Sequence, residues 1–467
     1  MNRQRIGARL LMAVLTLWAV RLAQAETYTI AGDRQIDGEA PLIEFADSGE
    51  TVERTGAASP WTFDFSGLDP AAAVIDLGGY KLHCARTEGE REKIVLNLNG
   101  TDLKGTNAVS IDTTWYVNGN EGVSDELVVE NVRNVELGGI EARGLDFNTQ
   151  LNGWPAVTIG RSDAPANRVR IAYIDTRGIP GPTTSHSPGG EVWIWATNNV
   201  TIANSDGVLG DILTCGNHNS GAADVAIAHR GHFQVRTIDT HSPSPFGNSD
   251  ARPGNIRLDG GDYSGDALIA GNLDTHQKLR RNGGRREIRI VRYRNVALAG
   301  DIVGYTESNY DADYGTDVAI TNIAGDIDIS GNIDLEHKVA GREGQHGWMR
   351  LSAQGVVTVA ALDLDKMLYA ALESGSDGKR PSIVSGEIGG FDVQDTTGNG
   401  TVSDPYISEE TRLRAPAGGR IYYVYDPGAN MNTALQGKVW QLKNHDGTGD
   451  GGLLMVRPPS GTVIRIQ

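Results

Sequence analysis

Residues 287–305 read EIRIVRYRNVALAGDIVGY, and residues 317–337 read DVAITNIAGDIDISGNIDLEH. Laid over one another, they put apolar residues in the same places: Ile288/Ile290 over Val318/Ile320, Val296/Leu298 over Ile327/Ile329, and Ile302 over Ile333. Alternation of apolar and polar residues marks a strand with one buried face. Each stretch therefore holds three short strands. The turns between them are rich in Gly, Asn and Asp, which tolerate the positive φ of tight corners.

Outward from this pair, strand-like starts recur at Val128, Val157, Val192, Val225, Ile256, Ile288, Val318, Met349 and Ile383, 29–35 residues apart. The second strand recurs as Phe233/Val235, Ala267/Ile269 and Val357/Val359, and the third begins again at Ile238, Leu273 and Leu362. Such a coil cannot bury its apolar face alone. Stacking equivalent strands of successive coils, about 4.8 Å apart, does bury it. Like strands then lie on like, so the sheets are parallel, and crossover chirality favours right-handed winding. A β-propeller blade would need four antiparallel strands joined by hairpins, which three strands and a long loop do not supply. The expected fold is all-β, a right-handed parallel β-helix with three short strands per coil of roughly 32 residues. Residues 26–95 read as an N-terminal cap, 96–400 as the helix, and 401–467, where the rhythm changes, as a C-terminal cap or tail.

Over residues 95–400 the chain resembles the pectin-lyase-like β-helix superfamily. The resemblance lies in the coil architecture and in the NVxIxG-type second strand, seen at Asn295–Gly300 and more loosely at Asn199–Ala203. It implies a fold, and no catalytic motif of a particular family accompanies it.

Arg3, Arg5 and Arg9 precede an apolar run from Leu10 to Val20, followed by Ala23-Gln24-Ala25. That pattern predicts a signal peptide over residues 1–25 and a secreted protein, whether extracellular, periplasmic or at the cell surface. No later stretch is apolar for long enough to span a bilayer as a helix. Removing the four arginines of residues 1–25 (3, 5, 9 and 21) takes the formal charge from −17 to −21. Such acidity argues against nucleic acid as a partner. Cys84 and Cys215 are the two cysteines; an oxidising compartment permits a bridge between them, and two free thiols fit as well. The sequence leaves the oligomeric state open.

In a solenoid a fixed position in each coil becomes a column. After the third strand, outward positions give Asp239 with His241, Asp274 with His276, Val303 with Tyr305, Asp334 with Glu336, and Asp363 with Asp365; Asp175 and Arg177 hold the same pair earlier. The coil beginning at Val192 has no clean member. The column His241, His276, Tyr305, Glu336 joins groups that take and give protons near neutral pH. A second signal is cationic: Lys278, Arg280, Arg281, Arg285, Arg286, Arg289, Arg292 and Arg294 stand against one acid, Glu287, with Lys338 and Arg342 further on. Arginine forks match carboxylates in two-point geometry, although the acids of the next loop could equally absorb them.

Together these features predict action on an anionic polysaccharide, with elimination from a uronic acid favoured. Arg280, Arg281 or Arg285 would neutralise the carboxylate, with Lys278, Glu336 and Lys338 also contacting substrate. His241 or His276 would remove the α-proton, and Tyr305 would protonate the leaving oxygen. A hydrolase would use acid pairs such as Asp334 with Glu336. A non-catalytic adhesin or glycan-binding surface protein is the alternative from another class. No cofactor is expected, and no Cys/His cluster has zinc spacing. Asp239, Asp274 and Asp334 offer the oxygen donors that calcium takes, while the calcium-like loop beginning at Asp395 has Tyr406 where a bidentate acid belongs.

Overall fold

The computed structural model describes residues 27–457 except 39–40, 56–58, 69–73, 88–90, 118–120, 145–154, 179–185, 188, 219–220, 243–252, 279–284, 309–312, 376–380, 384–387, 390–396, 408–411 and 425–436. The expected signal peptide, Arg280, Arg281 and Asp395 lie outside the described residues. What is described is a β-solenoid of about 9 turns, its strands stacked in parallel.

Three ladders run along it. First strands stack as Val157–Val192–Val225–Ile256–Ile288–Val318–Met349. Second strands stack as Val200–Phe233–Ala267–Val296–Ile327–Val357, and third strands as Ile212–Ile238–Leu273–Ile302–Ile333. Nearly all these side chains are fully buried in one continuous apolar column, and each Val, Ile, Leu, Phe or Met among them contributes roughly 1.5–3 kcal/mol by its removal from water. The corner after the first strand needs a left-handed residue, supplied by Asn131, Arg292 and Asn322 with φ of 52°, 62° and 58°.

Two starts inferred from the sequence fall elsewhere. Leu127, not Val128, stacks beneath Val157; the unbroken run Leu127-Val128-Val129 conceals the alternation that would set the phase. Ile383 stacks on Val359 in the second-strand ladder, because the first strand of that coil, Ala370–Ser374, already lies on Met349–Ala353. Parallel stacking also begins before residue 96, with Thr27–Thr29 on Val74–Asp76 and Trp61–Asp64 on Lys93–Asn97. It continues beyond 400, where Arg420–Val424 pairs with Asp450–Arg457. Among the described residues no helix is long and apolar enough to cross a membrane.

Candidate functional site

The third strand is only two residues long in most coils, and the residues after it fix the site. In Asp239-Thr240-His241 the three side chains have separate tasks. Asp239 turns back to accept the backbone N–H of His241 (3.0 Å). Buried Thr240 donates inward to the carbonyl of Gly254, pinning the far end of the loop, and His241 is left outside. Asp274-Thr275-His276 repeats the turn, Asp274 accepting from His276 N at 3.0 Å. In Val303-Gly304-Tyr305 glycine replaces threonine because a Cβ there would come within 2.6 Å of Thr316, whose hydroxyl bonds Thr275 instead.

His241, His276 and Tyr305 therefore lie on consecutive coils, as their column predicts. The imidazoles stack with centroids 4.6 Å apart and planes 6° from parallel, and Tyr305 stacks on His276 at 4.8 Å and 20°. The Lys338 ammonium lies 3.2 Å from the Tyr305 ring centroid and 3.4 Å from Asp334. Both histidines are held the same way, Nδ1 lying 2.5 Å from Asp239 in His241 and 2.6 Å from Asp274 in His276. A carboxylate can only accept, so Nδ1 carries the proton and the neutral ring presents a bare Nε2.

Burial alone would lower the His241 pKa, but the hydrogen bond to Asp239 and the charges of Asp239 and Asp274 overcome it and raise it, against opposition from Lys278. Asp239, which burial would push up, is held below its ordinary value by His241. Burial raises the Tyr305 pKa, helped by Glu307, Asp274 and Asp334, so the phenol keeps its proton at neutral pH.

The vacant place in the column is filled by Cys215. Leu213 pairs with Asp239, which sets Cys215 beside His241, and Leu213 itself lies on Asp175, next to Arg177. The signal for it was Thr214, whose inward bond to Ala223 matches those of Thr176 and Thr240. Cys215 is buried, and burial together with the Asp239 charge pushes its thiol up to about 12. It is a neutral thiol. Cys84 is also buried and free, near Asp125, so the two cysteines form no bridge.

The basic run does not form one patch, because the coil spreads it around its perimeter. Arg285 donates from one nitrogen, Nη1, to both carboxylate oxygens of Asp317 at 3.2 and 3.1 Å and lies over Tyr314. Arg292 pairs with Asp259 and Arg294 with Asp266. Arg289 sits on the outer face of the first-strand sheet, alongside Arg257. Of the described cations in the run, Lys278 stands at the strip. Glu336 follows Tyr305 in the column, its backbone N–H bonded to Asp334.

Cys215, Asp239 and His241 bring possible ligand atoms within 4.8 Å of one another, as do His241, Asp274 and His276, and also Asp37, Cys84 and Asp125. The nearly parallel planes of His241 and His276 leave their in-plane lone pairs parallel, so one ion between them requires ring rotation. The acids weighed for calcium are not one cluster: Asp239 and Asp274 are neighbours, and Val303 separates them from Asp334. No family model, curated protein or solved structure matches this chain.

Proposed function

We propose that this is a secreted protein of pectin-lyase-like type that cleaves an anionic polysaccharide by β-elimination on the His241–His276–Tyr305 strip. The observation carrying the reading is the stack itself: two carboxylate-oriented imidazoles and a protonated phenol, ring on ring, at 4.6 and 4.8 Å. Elimination needs a cation at the uronate carboxylate, a base for the α-proton and an acid for the leaving oxygen. Lys278, close enough to act on His241, supplies a cation, and Lys338 supplies a second above Tyr305. Arg285, engaged by Asp317, is the less available choice. His276 Nε2 takes the α-proton. The freed electron pair forms the ring double bond as the glycosidic C–O bond breaks, and Tyr305 protonates the departing oxygen. Base and acid on adjacent coils approach the sugar from one face, which suits syn elimination.

The test is to incubate the protein with polygalacturonate, alginate and other uronate polymers and follow the ultraviolet absorbance of the unsaturated product. The reading expects product from at least one polymer and its loss in His276→Ala and Tyr305→Phe. No product from any acidic polymer, with the strip intact and the protein folded, contradicts it.

One observation favours a second reading. The Asp–His pairs continue a ladder in which Asp175 holds Arg177 at 2.7 Å and Asp334 holds Lys338 at 3.4 Å. Such a ladder neutralises stacked acids without any chemistry, as in a glycan-binding surface protein. Polymer binding that survives His276→Ala, with no product from the wild type, selects it.

A further inference from the structure

The outer face of the first-strand sheet changes character along the solenoid. One outward column runs Thr158–Trp193–Ala226–Arg257–Arg289, with Val95 and Val128 stacked earlier in it. At its cationic end it looks like an ordinary solvated flank. At its other end Val95, Val128 and Thr158 form the buried floor of an open groove of about 770 Å³, closed on one side by Trp193 and Trp195. Outward-facing apolar residues on a solvent-facing sheet are the kind of patch that marks a binding surface.

We propose that this groove binds a neutral polysaccharide strand. The two indoles pack edge to face at 5.4 Å, and Trp193 is further fixed by a hydrogen bond to Glu191. A ring so held costs little to order on binding and offers a flat apolar face for the C–H face of a pyranose. The rim charges already pair with one another: Lys93 with Glu126 at 2.9 Å, and Arg161 with Glu130 at 3.4 Å and Asp163 at 3.1 Å. Three carboxylates against two cations repel a polyanion. Paired carboxylates and guanidinium still accept from and donate to sugar hydroxyls without a net charge on the ligand. The floor repeats with the coil, about every 4.8 Å, so it presents a linear array to an extended chain. The groove lies on the first-strand ladder and the His241–Tyr305 strip follows the third-strand ladder, and the inference does not rest on the elimination reading.

The test is affinity electrophoresis of the full chain in gels containing hydroxyethylcellulose, xylan or glucomannan, with polygalacturonate as the anionic control. The proposal expects retardation by at least one neutral polymer, weakened roughly tenfold or more in Trp193→Ala and Trp195→Ala. It expects substantial retention in Trp193→Tyr, which keeps a ring, and no change in His276→Ala. Should an alanine variant fail to fold, quenching of wild-type tryptophan fluorescence by the same polymers, compared with Trp193→Tyr, gives the answer. The proposal is overturned if no neutral polymer retards the wild type, if polygalacturonate alone does, or if the folded tryptophan variants migrate as the wild type. It is also overturned if the wild type self-associates and the variants do not, which would make the groove a contact between copies.

Discussion

Asp175–Arg177 and Asp239–His241 occupy the same rungs of one ladder, two coils apart, and differ in one residue type. Both acids receive a basic side chain from the residue two positions on. In the first pair Asp175 also holds Arg143 at 2.9 Å, and a guanidinium never gives up its proton in this setting. Such a pair only neutralises. In the second, the base is an imidazole, which can give up its proton, and it is stacked on the ring of His276. The same backbone turn therefore serves as a structural tie where arginine fills it and as candidate chemistry where histidine does. The ladder geometry comes from the coil, and the side chain decides the use.

The largest expected effect separates the two regions by activity. His276→Ala and Tyr305→Phe should each lower the rate of unsaturated product formation by roughly 10²–10⁴-fold, whereas Arg177→Gln should leave it within about twofold of wild type. Equal losses in all three would erase the distinction. Next, Asp274→Asn should cost about 2 kcal/mol in kcat/KM, near 30-fold, by removing the charge-assisted bond that aims His276.

A third contrast is in stability against pH. The folded pKa of His241 is raised above its ordinary value of 6.5, so its contribution is complete below about 6.5 and is lost as pH rises through the folded value. The depressed pKa of Asp239 adds stability above the ordinary carboxylate range, lost only in stronger acid. Thermal melts should thus show His241→Gln destabilised more at pH 5.5 than at pH 9, while the smaller penalty of Arg177→Gln, about 1 kcal/mol, stays level. The smallest effect is at Cys215. With its thiol pushed up to about 12, it should react with iodoacetamide at pH 8 far more slowly than free cysteine, and Cys215→Ser should retain activity.

The coil and much of the strip were readable because inward alternation is strict in the middle coils: Ile288/Ile290 and Val318/Ile320 fix the phase, and every outward residue follows from it. Where apolar residues run together, as at Leu127-Val128-Val129, alternation carries no phase. Where a loop shortens, as before Ala370, counting by repeat length selects Ile383 in error. Cys215 is hidden because the column is marked by charged and ring side chains, whereas its register is set by the buried Thr214. The fate of the arginines was not readable at all. Whether Arg285, Arg292 and Arg294 face a ligand or the acids of a neighbouring coil depends on lateral distances that one coil's sequence does not contain. Trp193 and Trp195 were visible as residues, but their groove is assembled from five coils.

The central claim is that His241 and His276, 35 residues apart, face each other as carboxylate-held rings. Nitrogen-15 histidine NMR with a pH titration tests it most directly. The account predicts that each neutral ring carries its proton on Nδ1 and leaves Nε2 bare, a His241 midpoint above 6.5, and a shift of the His241 ring signals in His276→Ala. Ring signals of His241 indifferent to that substitution, with an Nε2–H tautomer, would contradict it.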